Sequence, residues 1–442
     1  MSEQPTTGSH SAETVRTGIL IIGGGPGGAS AALRLSALGV PALLLDKAVF
    51  PRDKVCGDAL SGKVMRSLER LDMGLAEQVK RDALAMPSWG VVFVAPSGRS
   101  LRVPFSRTTG LGEAPGAILP RLRFDDLLFR RAKGSAGVSI AEGEAATGFE
   151  RTPTGWRVIT SRGRLVEAEL IIDAAGANSA FARHVAKLPM DPRHHAAGVR
   201  AYCSGVTGLD PQGFIELIFL KDLLPGYLWV FPLPGGRANV GLGLRSDVAA
   251  RRKADLKAML RKLLTEHPQL RHRFVAAQIE GAIQGMGLPL ASKRLALSGD
   301  GYLLVGDAGH LIDPFTGEGI SHAMISGVHA AEVAAKAIRS GDASAGRLKE
   351  HDERVWRRLG KELAISTAGG QALAVRLRGG PRESQPGAGR YHQQHVHRPG
   401  PARAPEEAGF LHGPGAGASI APLSQQPPGH RTRRATTNQS HG

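Results

Sequence analysis

Gly23-Gly24-Gly25-Pro26-Gly27-Gly28 decides the fold. Glycines at 23, 25 and 28 fit the G-x-G-x-x-G spacing, and the flanks give that spacing its meaning. Residues 19–22 (ILII) are a short apolar run, the mark of a strand buried on both faces. Residues 29–38 are rich in Ala and Leu, with Ala29, Ala32, Leu33 and Ser36 on one helical face and Gly39 as a C-terminal stop. Residues 40–45 are a second apolar strand, closed by Asp46. Strand, turn, helix and strand form one βαβ unit. In such a unit Gly23 permits the tight turn, Gly25 lets a diphosphate approach bare backbone, and Gly28 lets helix and strand pack closely. The helix start presents amide donors and the positive end of its dipole to that diphosphate. Asp46, 18 residues beyond Gly28, is placed to accept hydrogen bonds from a ribose diol.

A second stretch repeats the logic far downstream. Residues 302–305 (YLLV) read as a strand, followed by Gly306-Asp307-Ala308-Gly309-His310. Pro314-Phe315-Thr316-Gly317-Glu318-Gly319-Ile320 then opens a helical pattern that runs to about Arg339. An Asp at a strand end can bind a sugar or ribityl hydroxyl. A glycine-rich helix start can hold negative charge on a reduced flavin ring.

The pairing of these two stretches resembles the FAD-dependent hydroxylase and reductase superfamily, which is para-hydroxybenzoate hydroxylase-like. Two more stretches narrow it. Pro51-Arg52-Asp53-Lys54-Val55-Cys56-Gly57 resembles the P-R-x-K-x-C-G signature of the geranylgeranyl reductase family. Tyr227-Leu228-Trp229-Val230-Phe231-Pro232 is similar to its Y-x-W-x-F-P segment, with Ala238-Asn239-Val240-Gly241-Leu242-Gly243 following. The resemblance spans roughly residues 17 to 365.

That resemblance implies an α/β fold in which a Rossmann-type FAD-binding domain is interleaved with an antiparallel-sheet substrate domain. The FAD-binding domain would comprise 17–86, 118–184 and 294–345, and the substrate domain 87–117 and 185–293. A helical segment, 346–378, would follow. The implied reaction is reduction of prenyl C=C bonds on a geranylgeranyl-type diphosphate, lipid or quinone. NADPH or another reductant would be the electron donor. Gly23, Gly25, Gly28, Asp46, Lys47, Cys56, Gly57, Arg121, Asp307, Gly317, Gly319 and Ile320 would hold FAD. For Arg121 a surface ion pair is an equal alternative. Tyr227, Trp229 and Phe231 alternate along a strand, so they share one face. They would line the prenyl pocket or form core packing. Cys56, Tyr227 and Trp229 are the candidate catalytic residues. The thiol would donate a proton or shape the pocket, and the rings would stabilise developing positive charge.

Composition sets the outer limits. Hydrophobic residues make up 42%, an ordinary globular fraction. No run approaches the roughly 18 apolar residues of a membrane span. Residues 1–16 are polar and read as a disordered lead rather than a secretory signal. Two cysteines, Cys56 and Cys203, cannot form a disulfide framework, which agrees with the cytoplasm. No Cys/His cluster has zinc spacing, so no metal is expected; His392, His395 and His397 offer at most a weak tract. From Gly379 onward 20 of 64 residues are Gly or Pro, so 379–442 reads as a disordered tail.

The formal charge is +17, of which residues from Arg376 onward carry +6 (nine Arg, three Glu) and the remainder +11. Only 5% of residues are aromatic and no nucleic-acid motif appears, so nucleic acid is not an expected partner. An anionic small molecule or lipid surface fits better, and a merely basic solvated exterior stays open. Residues 250–274 read as one basic helix, either a site for a diphosphate headgroup or peripheral membrane contact, or a solvated face.

Two departures from the family pattern stand out. In Ala174-Ala175-Gly176-Ala177-Asn178-Ser179, Ala175 replaces the Asp that many superfamily members carry. In the hydroxylases that Asp takes part in cofactor and nicotinamide handling, so its absence weakens the hydroxylase reading more and leaves nicotinamide use open. The family's apolar C-terminal helices are replaced by the Gly/Pro/Arg-rich stretch. An FAD-dependent aromatic-type monooxygenase and a non-catalytic flavin-binding remnant therefore stay open.

Overall fold

The computed structural model describes residues 14–106 and 112–378, with side chains as far as residue 370. The expected tail, His392, His395 and His397, and residues 1–13 lie outside the described residues. The chain runs β1 (Thr14–Ile22), α1 (Pro26–Ala37), β2 (Ala42–Asp46), β3 (Ala59–Leu60), α2 (Gly62–Leu71), α3 (Met73–Lys80) and β4 (Met86–Ser88). It continues through β5 (Gly90–Val94), β6 (Ser100–Pro104), β7 (Gly116–Ile118), α4 (Arg121–Lys133), β8 (Val138–Glu142), β9 (Ala146–Thr152), β10 (Gly155–Thr160), β11 (Leu165–Asp173) and α5 (Ala180–His184). Then come β12 (His195–Ser204), β13 (Ile215–Ile218), β14 (Tyr227–Leu233), β15 (Arg237–Arg245), α6 (Ser246–Arg251), α7 (Leu256–Glu266) and β16 (Gln278–Pro289). β17 (Ser298–Gly299), β18 (Tyr302–Leu304), α8 (Ile320–Ser340) and α9 (Ala345–Arg378) complete it.

One sheet has the order β17-β18-β11-β1-β2-β8, with β10 and β9 attached beside β11. β1 pairs in parallel with both β11 and β2. Its unbroken apolar run is explained by burial on both sides. Ile19 and Ile21 pack with Ala31, Leu35 and Phe124 from the helices, while Leu20 and Ile22 pack with Trp156 and Phe181. β1 starts earlier than the expected 1–16 lead allows. Thr14, Val15 and Arg16 are carried by the β11 ladder opposite Leu165, Val166 and Glu167, so partner length rather than their own polarity sets the strand end.

A second sheet has the order β16-β12-β15-β14-β13-β5-β6. It is antiparallel except where β13 runs parallel to β5. It therefore draws on two separate parts of the chain. The strands of a small third sheet, β3-β7-β4, flank β5 and β6 in sequence, and the expected limits 86/87 and 117/118 fall inside β4 and β7.

The basic stretch 250–274 is not one helix. Lys253 takes a left-handed φ of 48°, and Asp255 caps α7 by accepting from the Lys257 and Ala258 amides. α7 buries Leu256, Leu260 and Leu264. Arg251 pairs with Asp247, and Arg252 donates to the Asp222 and Leu224 carbonyls. No helix among the described residues is long and apolar enough to cross a membrane.

Candidate functional site

The glycine turn joins β1 to α1 as its spacing requires. Gly23 has φ +100°, and its amide donates to Leu45 O at 2.7 Å. Gly25 is the N-cap of α1, Pro26 occupies its first turn, and no acidic residue follows there. A Cβ on Gly25 would meet nothing nearer than Arg52 Nη2 at 3.4 Å, so bare backbone faces open space. That space is a cavity of about 500 Å³ running from Asp46 and Lys47 past Gly25, Arg121 and Ala177 to Asp307. A cavity of this size, lined by Gly25, Pro26 and Gly27 at the helix start and by Lys47, Arg52, Lys54 and Arg121, fits an adenine dinucleotide diphosphate.

The expected carboxylates are present, with partners of their own. Asp46 Oδ2 accepts from Gly24 N at 2.6 Å and Oδ1 from Ala48 N at 2.8 Å, so it braces the turn as well as lining the cavity. Asp307 lines the cavity and accepts from Lys54 Nζ at 2.9 Å. Lys47 is exposed on the rim. Arg52 and Lys54, from the P-R-x-K-x-C-G stretch, line the same cavity without having been expected there. Their charge, close in sequence to a diphosphate-sized turn, was the readable signal.

Arg121 is buried at 2% exposure, which removes the surface-pair reading. Its Nε and Nη2 donate to the two Asp125 oxygens at 2.6 and 2.8 Å, and Arg52 reaches the same carboxylate. Burial opposes charge on Arg121, but Asp125 and the adjacent Cys56 side chain outweigh it and raise its pKa further. Burial likewise opposes charge on Asp125, and Arg121 and Arg52 hold it below the usual carboxylate range.

At the downstream turn, Asp313 Oδ1 accepts from Phe315 N, Thr316 N and Thr316 Oγ1 at 2.9, 2.8 and 3.0 Å. Gly317 follows at φ +74°, and a Cβ there would lie 2.9 Å from the Tyr227 hydroxyl oxygen. The Tyr227 hydroxyl donates to Thr316 O. Gly319 caps α8, which begins at Ile320. Glu318 accepts from Ser61 and Ser321, both at 2.6 Å. Candidate ligand atoms of Glu318, His322 and Glu362 lie within 4.8 Å of one another. The Lys63 ammonium pairs with both glutamates, so that group already has its cation.

Tyr227 and Trp229 line a second cavity of about 180 Å³ with Phe219, Leu224 and Phe315, and Arg193, His194 and Arg245 stand in its lining too. Phe231 shares their cluster, but its ring lies against Gly57, where a Cβ would meet it at 2.5 Å. Cys56 is half-buried, packs against the core of the first sheet and its helices, and lines neither of these two cavities.

Where Ala175 replaces the family's Asp, Asp173 stands two residues earlier at the end of β11. It is fully buried and accepts from Ser179 Oγ at 2.6 Å and Ala175 N at 3.1 Å. Burial pushes its carboxyl up to about 6, against those hydrogen bonds. A pKa raised above the unfolded value means the folded state holds the proton more tightly. The ionised carboxylate therefore costs stability as pH rises from about 4 to 6, and the cost is constant above that. Asp173→Asn should be more stable than the parent in urea titrations at pH 7 and no more stable at pH 4. Destabilisation at both pH values would show that the carboxylate is needed.

Residues 16–212 match a family model described as an FAD binding domain. The menaquinone reductase of Mycobacterium tuberculosis is 30% identical over 328 residues, covering 71% of this chain and 76% of that protein. The digeranylgeranylglycerophospholipid reductase of Thermoplasma acidophilum is 28% identical over 365 residues, covering 81% and 87%. A crystal structure of a geranylgeranyl bacteriochlorophyll reductase-like protein from Thermoplasma acidophilum superposes with a TM-score of 0.72. It is 26% identical, covering 83% of this chain and 90% of that one.

Proposed function

The chain belongs to the geranylgeranyl reductase family of FAD-dependent oxidoreductases, and on that premise we propose that it reduces C=C bonds in prenyl chains. The observation that carries this is the pairing of cavities. Met286 and Gly287 of β16 line the first cavity, and Leu288 and Leu290, next along the chain, line the aromatic one. A dinucleotide in the first would bring its ring to the wall of the second.

Bound and reduced, FAD supplies a hydride. An isolated alkene is a poor hydride acceptor, so the protein must exclude water and deliver a proton to the second carbon as charge develops. Phe219, Leu224, Tyr227, Trp229 and Phe315 supply the apolar wall. The ring faces of the four aromatic residues suit positive charge at a tertiary carbon. Tyr227 has its hydroxyl committed to Thr316 O, and burial pushes its pKa up, so it serves as wall and brace rather than acid. The proton is proposed to come from Cys56 Sγ, on its place in the P-R-x-K-x-C-G stretch alone. Gly23, Gly25 and Gly28 would admit the diphosphate, Arg121 and Lys54 would face it, and Asp46, Lys47 and Asp307 would bind the sugar ends. Gly57, Gly317, Gly319 and Ile320 would border the ring. Reduced nicotinamide is the proposed electron donor, the cytoplasm the proposed location, and peripheral contact with a membrane surface the proposed way to a lipid substrate. The two-domain division along the two large sheets is part of the same reading.

Anaerobic incubation of the purified protein with NADPH and geranylgeranyl diphosphate, read by mass spectrometry, tests it. Two hydrogens should be gained per reduced double bond without oxygen. Product formed only with oxygen, carrying one added oxygen atom, would make the protein a monooxygenase. Retention of FAD with no product from this or a prenylated quinone or lipid would make it a binding remnant.

A further inference from the structure

A buried polar network lies behind the aromatic wall, and the proposed reaction leaves it without a role. Asn239 on β15 is wholly buried and commits both ends of its amide. Its Oδ1 accepts from Trp229 Nε1 at 2.9 Å on the neighbouring strand. Its Nδ2 donates to the Cys56 carbonyl at 2.8 Å and to Asp58 Oδ2 at 2.7 Å. Gly241 opposes Trp229 in the β14–β15 register, and a Cβ there would sit 2.2 Å from the indole, so the ring can lie across that strand.

Asp58 receives more than Asn239. Its Oδ2 also accepts the Tyr202 hydroxyl at 2.7 Å, and Oδ1 accepts Arg121 N at 3.2 Å. Its own carbonyl takes the Leu119 amide at 3.0 Å. Asp58 is fully buried and has a left-handed φ of 68°, a conformation that residues with a Cβ adopt rarely. Burial pushes its carboxyl up to about 6, against the Tyr202 and Asn239 hydrogen bonds and the Arg200 charge. A strained, desolvated carboxylate persists only where its surroundings over-determine it. Residues 56–58 are thus held from β12 by Tyr202, from β14 by Phe231, from β15 by Asn239 and from α4 by the Arg121 amide.

We propose that Asn239 and Asp58 are positioning residues that lock the Cys56 loop, whose neighbour Val55 lines the first cavity, to the Trp229 wall of the second, so that loop and indole hold one fixed geometry when a prenyl chain binds. The proposal rests on the prenyl-reductase reading, and its test separates the two. The full-length holoenzyme is made as Asn239→Ala and as Tyr202→Phe, which removes one hydroxyl and leaves the buried amide in place.

Both variants should keep FAD and its visible spectrum, and dithionite should reduce them at the parent rate. Reoxidation of the reduced enzyme by geranylgeranyl diphosphate without oxygen should slow roughly 10- to 100-fold in Asn239→Ala and less in Tyr202→Phe, the scale expected for misplacement of about 1 Å. Alkylation of Cys56 by iodoacetamide should change severalfold, read against buried Cys203. Parent-like reoxidation and alkylation in both variants would overturn the proposal, as would slowing that only tracks FAD loss. If the parent itself is not reoxidised by the prenyl substrate, the functional reading fails, and the alkylation rates still decide whether the loop is locked.

Discussion

Gly28→Ala should yield a protein that emerges colourless and takes up no FAD when supplied. A Cβ at this position would lie 1.8 Å from the Gly23 carbonyl oxygen and 3.2 Å from Ile21 Cγ2. The first obstacle is backbone, so no rotamer change relieves it. The α1 start must move away from β1, and that start carries the amides a diphosphate would use. The expected cost is about 3 kcal/mol or more, the range of steric disruption in a core. Gly39→Ala is the control. Gly39 has φ +67° but nothing within 4 Å of where a Cβ would stand, so only backbone strain of roughly 1 kcal/mol is expected. That variant should stay yellow. Visible absorbance and thermal melting read both. A Gly28→Ala protein binding FAD as tightly as the parent would remove the glycine turn from the cofactor site.

The same glycine turn marks what a sequence discloses and what it withholds. The β1-α1-β2 unit could be read because everything it needs lies within 33 residues, Thr14 to Asp46, and each part is marked by period or by glycine. The downstream turn was legible for the same local reason. Partners were not. Arg52 meets Asp125 across 73 residues and Lys54 meets Asp307 across 253; nothing local in either motif names the acid it will face. Arg121 shows the same limit. R-x-x-x-D on a helix reads identically at a surface or in a core, and only tertiary packing buries it. Asn239 belongs to a family stretch, yet its importance comes from three partners on two other segments. Residues 250–274 are a different kind of miss. Asp255 ahead of an amphipathic run was a readable N-cap, and basic composition drew attention away from it.

Arg121→Met should unfold readily and bind FAD poorly, and a second substitution should separate those effects. Asp125 is 1% exposed and takes both Arg121 nitrogens as well as Arg52. Removing one partner of a buried pair costs about 3–5 kcal/mol, because the charge left behind is desolvated. Arg52 still reaches the carboxylate, which puts the expectation near the lower end. Replacing the pair together, Arg121→Met with Asp125→Leu, leaves no orphaned charge and should recover most of the lost stability. FAD affinity should not recover, because the cavity wall has lost a cation. The pH dependence carries the same signature. The Asp125 carboxyl is held below its ordinary value, so its contribution is present above about pH 4 and is lost as pH falls through the lower folded pKa. The parent should therefore lose stability in acid more steeply than the double variant, as urea titrations at successive pH values would record. If the double variant regains FAD along with stability, Arg121 acts only by neutralising Asp125, and its place facing the diphosphate must be given up.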